Sequence, residues 1–121
     1  MTKEEAKVIM NNAKDIYNRV EKKLNEYQKY VEKLDSLNSS TLKLVVHLNE
    51  TTAAFFNGGY NDGGETFDRG VLKSTSSNLC DVSSKIANVI TKTNLKIADL
   101  TNEKRQKYNE WQKAISIYNS L

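Results

Sequence analysis

The stretch Phe55-Phe56-Asn57-Gly58-Gly59-Tyr60-Asn61-Asp62-Gly63-Gly64 holds four of the chain's five glycines, and it decides how the rest is read. Glycine is favoured just past helix C-termini and costs about 1 kcal/mol inside a helix, so the cluster ends any helix that reaches it. On either side lie long polar segments with apolar residues at helical spacing and no proline to interrupt them. The pattern predicts an all-α fold, an antiparallel two-helix hairpin with a central glycine-rich turn. A single domain over residues 1–121 is expected, with a first helix over about 3–55, a turn over about 57–62 and a second helix over about 65–119.

Thr2 with Glu5 three positions on forms a capping-box pattern that starts the first helix almost at the first residue. Ile9, Ala13, Ile16, Val20, Leu24, Tyr27, Val31 and Leu34 then recur at steps of three or four, a mean of about 3.6 that keeps them on one helix face. Asn38-Ser39-Ser40-Thr41 are poor helix formers and predict a weakened or kinked point. Beyond the glycines, Asp62 and Glu65 suit the start of a second helix, where carboxylates meet its positive end. Its stripe runs through Phe67, Val71, Leu72, Leu79, Val82, Ile86, Val89, Ile90, Ile97, Leu100, Tyr108, Trp111, Ile115 and Tyr118. Gly70 and Ser74-Thr75-Ser76-Ser77-Asn78 weaken its first turns. With a turn near residue 60, the serine-rich segments of the two arms should lie at the same level.

The chain of 121 residues is 38% hydrophobic and 27% charged, too polar for a broad globular core. A thin or shared core is expected. The net charge of +3 comes mainly from Lys85, Lys92, Lys96, Lys104, Arg105, Lys107 and Lys113, but acids interleave with them, so the composition does not point to nucleic acid. No apolar run is long enough for stable membrane insertion, and Met1-Thr2-Lys3-Glu4-Glu5 is charged where a signal peptide needs an apolar core. Synthesis as a soluble cytoplasmic protein is expected.

Nothing in the chain forms a catalytic constellation. His47 and Cys80 are the sole histidine and cysteine, so no metal set or internal disulfide is expected. The carboxylates sit in helical charge patterns such as Glu103 and Lys107, explained by pairing along a helix. The Gly58-Gly59 and Gly63-Gly64 pairs lack the lysine, the Ser/Thr and the strand of a phosphate-binding loop. The expectation is a non-enzyme without a cofactor.

The aromatic residues carry more information. Phe55, Phe56, Tyr60 and Phe67 at the hairpin tip either plug the end of the bundle or form a recognition tip, which would comprise Phe56, Gly58, Gly59, Tyr60, Gly63, Gly64 and Phe67. Tyr17, Tyr27, Tyr30, Tyr108, Trp111 and Tyr118 gather at the level of the termini, and large side chains with a polar edge suit an interface. Two helices in contact cover only part of each stripe. The partner interface is therefore expected on Ile16, Val20, Leu24, Tyr27 and Val31 of the first arm and Ile86, Val89, Ile90, Ile97, Leu100, Tyr108 and Trp111 of the second.

In layout the chain resembles the WXG superfamily, the small helical hairpins of type VII secretion in Gram-positive bacteria, and above all the small accessory partners of LXG toxins. In that family an aromatic-x-Gly turn joins two helices of similar length; here Phe56-Asn57-Gly58 takes that place, with phenylalanine at the tryptophan position. The run Tyr60-Asn61-Asp62-Gly63-Gly64-Glu65-Thr66-Phe67-Asp68 is similar to the entry into the second helix of some LXG-associated proteins. The likeness covers the whole chain in architecture and about a dozen residues in detail. Family export signals pair an aromatic residue with an acid four positions later near the C-terminus. Here Tyr108 is followed at that spacing by Gln112 and Trp111 by Ile115, while Tyr17 and Glu21 have the spacing in the first helix.

The resemblance implies a coiled-coil targeting chaperone whose partner is the helical N-terminal region of an LXG-type toxin or another small WXG-like hairpin, with export in the complex and no cleaved signal peptide. The alternative is a homodimeric coiled-coil adaptor, two hairpins making one bundle, with no secretion role.

Overall fold

The structure is a computed structural model that describes the backbone of residues 1–57 and 63–121 and the side chains of residues 1–54 and 70–121. It is all-α: helix α1 spans Lys3–Asn57 and helix α2 spans Gly63–Ser120. The two helices pack against each other antiparallel, and no strand occurs among the described residues. The expected turn, with Gly58, Gly59, Tyr60, Asn61 and the capping residue Asp62, lies outside the described residues.

The start of α1 follows from its first residues. The Glu5 backbone N–H donates to Thr2 Oγ1 at 3.2 Å, and the Ala6 N–H donates to the Thr2 carbonyl at 3.0 Å, the first bond of the helical ladder. Thr2 is thus the N-cap. α1 continues through Asn38–Thr41 as one long helix, as expected of a weak point that does not break it. Thr41 Oγ1 donates to the Leu37 carbonyl at 2.9 Å, so its hydroxyl is satisfied within the helix and does not compete with the ladder.

Contacts divide the chain into two compact units, residues 1–31 with 92–121 and residues 32–91. In both, the seam follows alternating steps of four and three. In the first unit it comprises Ala6, Met10, Ala13, Tyr17, Val20, Leu24, Tyr27 and Val31 on α1, with Thr93, Ile97, Leu100, Lys104, Lys107, Trp111, Ala114 and Tyr118 on α2. In the second it comprises Leu34, Asn38, Thr41, Val45, Leu48 and Thr52 on α1, with Leu72, Ser76, Leu79, Ser83, Ile86 and Ile90 on α2. Every buried described residue sits on these positions. This is a heptad repeat, whose mean step of about 3.5 keeps one narrow stripe facing the partner helix.

That stripe differs from the one read from hydropathy. Ile9 and Ile16 are 47% and 41% exposed, and Val82, Val89 and Tyr108 are exposed as well. They stand beside the seam: Val82 and Val89 at g and Tyr108 at e on α2, and Ile9 and Ile16 at g on α1, which carries apolar residues at several g positions as well as at a and d. A mean step near 3.6 results when the two tracks are read as one.

The first unit holds the apolar core cluster. Val20, Leu24 and Leu100 form its core, with Tyr27 and Ile97 packed around them. The second places polar side chains on the seam, where Ser83 Oγ donates to Asn38 Oδ1 at 2.6 Å. Asn38 thus stands opposite Ser83, while Ser76 of the Ser74–Asn78 run bonds Asn49, so the two serine-rich segments are offset along the seam and do not share the expected level.

Two substitutions check this packing. Leu100 is 2% exposed, so Leu100→Ala should destabilise the protein by about 2–5 kcal/mol. Gly70 is helical, and a methyl group there would meet nothing within 4 Å, so Gly70→Ala should stabilise it by about 1 kcal/mol. Urea unfolding followed by circular dichroism measures both.

Candidate partner interface

In the first unit, heptad geometry brings three aromatic rings together. Tyr17 occupies an a position on α1, where it faces the Tyr108 and Trp111 turn of α2. Its ring centroid is 5.8 Å from that of Tyr108 and 5.6 Å from that of Trp111, and the Tyr108 and Trp111 rings meet edge-on at 6.3 Å. Tilted and edge-on arrangements suit aromatic quadrupoles, with pairs of this kind contributing about 0.5–1.5 kcal/mol beyond area burial. Tyr108 nevertheless remains 46% exposed.

The polar edge of this cluster is closed by a carboxylate. Tyr17 OH donates to Glu21 Oε2 at 3.0 Å, one helical turn away, and Lys104 Nζ approaches the same oxygen at 3.5 Å. Lys104 also lies 6.0 Å from the Tyr17 ring centroid, and Lys3 lies 4.9 Å from that of Tyr118. The two lysines lie along the aromatic seam with their charges near ring faces. The aromatic-and-acid pair noted in the sequence is thus engaged with itself and with α2.

The hydrogen bond to Glu21 raises the Tyr17 phenol above its usual value of 10, with desolvation and the nearby negative charge acting in the same direction. A raised phenol favours the folded state below pH 10, and the contribution is lost as pH rises from 10 through the raised value.

The sequence-predicted interface residues fall into two groups. Val20, Leu24, Ile86 and Leu100 are buried in the intramolecular seam, with Tyr27, Val31, Ile90, Ile97 and Trp111 half-buried beside them. Ile16, Val89 and Tyr108 are exposed. The side chains of Phe56 and Phe67, with Gly58, Gly59, Tyr60, Gly63 and Gly64 of the expected tip, lie outside the described side chains.

A flank stands open in each unit. In the first, Ile16, Arg19, Lys23 and Glu103 wall a groove of about 260 Å³ whose floor is Val20 and Leu100. Ile16, Lys23 and Glu103 occupy g positions, so the g positions of both helices border the same side, as antiparallel pairing requires. Ile9, Tyr30 and Ile117 are the further exposed apolar residues of this flank. In the second unit, Asn49, Ala53, Lys73, Ser77 and Cys80 border a wider groove of about 500 Å³ on the e side, where Ser76 Oγ donates to Asn49 Oδ1 at 3.0 Å. The opposite, g side carries Leu37 and Leu44 from α1 with Val82 and Val89 from α2, between 40% and 57% exposed. Leu37 and Leu44 were not singled out from the sequence as interface; their seven-residue spacing was the available signal.

Among the described residues, no three His, Cys, Asp or Glu side chains gather as a metal site would require, and no helix is long and apolar enough to cross a membrane. Comparison with protein-family models, with characterised proteins and with solved structures finds no match to this chain.

The Tyr17 environment gives a direct check. Subtracting the ultraviolet pH titration of Tyr17→Phe from that of the wild type should isolate one phenol titrating above 10, and Glu21→Ala should return it toward 10. A wild-type difference curve centred at or below 10 would mean that the pair does not form.

Proposed function

We propose that this chain is a non-enzymatic, WXG-like helical hairpin that packs against the helical N-terminal region of an LXG-type toxin, or against another small hairpin, to make a complex competent for type VII secretion. The reading is carried by the apolar residues that heptad packing leaves outside the seam: Ile9, Ile16, Tyr30 and Ile117 in the first unit and Leu37, Leu44, Val82 and Val89 in the second. Two helices cover mainly each other's a and d positions, and the apolar side chains repeated at g stay exposed. A further helix laid along the g side of either unit would bury the apolar residues of that unit. The two arms of 55 and 58 residues, the first ending in Phe56-Asn57 with Gly58 next in the sequence, support the resemblance that names such a helix.

In the complex the chain would act as a targeting chaperone. It would shield the apolar helices of the toxin in the cytoplasm and travel with them, the export signal lying on the toxin. No residue of the hairpin needs chemistry for this.

The exposed flank separates binding from folding, which the seam does not. A charge at Val20 or Ile97 enters the intramolecular packing, whereas Ile16 and Val89 project outside it. Co-expression with the helical N-terminal region of an LXG-type protein from the same genome should yield one complex by size-exclusion chromatography with light scattering. Ile16→Asp with Val89→Asp should abolish that complex while leaving helicity and melting nearly unchanged. A hairpin that dimerises with itself and ignores the toxin segment would instead be an adaptor coiled coil.

A further inference from the structure

Resting on the partner-helix reading, we infer that the g side of the second unit is the docking strip and that its occupant is an amphipathic helix with acidic flanks. The apolar centre is Leu37, Leu44, Val82 and Val89, each exposed. Among the described residues, the g and c positions that form and rim this side carry Lys33 and Lys85 as exposed ammonium groups, with the exposed His47 imidazole, and no aspartate or glutamate. The acids of this unit with described side chains lie elsewhere on the heptad: Glu32 at b, Asp35 at e, and Glu50 and Asp81 at f. In the first unit the same side is mixed, with Arg19, Lys23 and Glu103 around one groove.

A basic rim around an apolar strip selects its partner by charge. A helix with leucine-type side chains along one face and glutamates beside them places an acid against each lysine as its apolar face is buried. A second copy docked by the same strip would set Lys33 and Lys85 against lysines, with no acid among the described residues of the rim to relieve them, so self-pairing there is disfavoured. The apolar centre distinguishes the strip from a site for a nucleic-acid backbone, which needs charge without a greasy floor.

The test uses the full chain and two synthetic helical peptides with leucine at a and d, one carrying glutamate and the other lysine at the flanking positions. Fluorescence anisotropy at low ionic strength, with labelled peptide at nanomolar concentration, should show the glutamate peptide binding about fivefold or more tightly, a preference that shrinks as salt screens the charges. Lys33→Glu with Lys85→Glu should reverse the preference. Leu44→Ser with Val89→Ser should abolish binding, and circular dichroism melts should show these variants folded because all four positions are exposed.

Failure to bind either peptide, or a preference that survives the charge reversal, overturns the inference. So does loss of binding in Ile9→Ser with Ile117→Ser but not in Leu44→Ser with Val89→Ser; that result moves the site to the first unit and leaves the partner-helix reading standing. A self-dimer dissolved by Leu44→Ser with Val89→Ser, in a chain that binds no peptide, would make a second copy the occupant.

Discussion

Two helices in contact cover one stripe on each other, and most of this structure follows from that constraint. The a and d positions meet across the seam, where Leu100 packs on Val20 and Leu24, and those positions hold all the buried described residues. Everything one position to either side remains in reach of solvent. A chain that used the hairpin only as a structural end in itself would do best with polar side chains there. This one repeats isoleucine, leucine and valine at g, so its apolar surface exceeds what its own second helix can cover.

The seam is not apolar throughout, and the exceptions have a physical use. Asn38 and Ser83 bond each other inside the second unit, and Thr41 closes its hydroxyl on the Leu37 carbonyl. Polar pairs at seam positions add little stability, but they penalise slipped registers, in which each partner would be buried without its bond. In the same unit Leu37, Leu42, Leu44 and Val46 place exposed apolar side chains on several sides of α1. A helix apolar around its circumference is ordinarily an enclosed one. The polar seam and the greasy exterior of this segment thus point the same way: its alignment is set within the hairpin, and its apolar contacts are available to another helix.

The fold was legible in the sequence because its signals are local. Glycine clustering and the lack of proline delimit two helices, Thr2 and Glu5 mark the first one's start, and α1 ends and α2 begins within two residues of the expected places. The seam was less legible. Hydropathy groups Ile9 and Ile16 with Val20 and Leu24, since isoleucine looks like core wherever it stands; only the partner helix decides between d and g. The same reasoning hid Asn38, Ser83, Thr93 and Lys104, which occupy seam positions that hydropathy assigns to the surface. Tyr17 and Glu21 were visible as a spaced pair, but their bond to each other and the approach of Lys104 depend on tertiary register.

The central claim is that the g side of the hairpin is covered when the protein is at work. Hydroxyl-radical footprinting of the chain, alone and in complex with the helical N-terminal region of an LXG-type protein, reads that coverage side chain by side chain. The account predicts that Ile16, Leu37, Leu44, Val82 and Val89 lose labelling in the complex, while Leu95, exposed at an outer heptad position, keeps it. Undiminished labelling of the g residues in a formed complex would contradict the account and place the interface on another side of the hairpin.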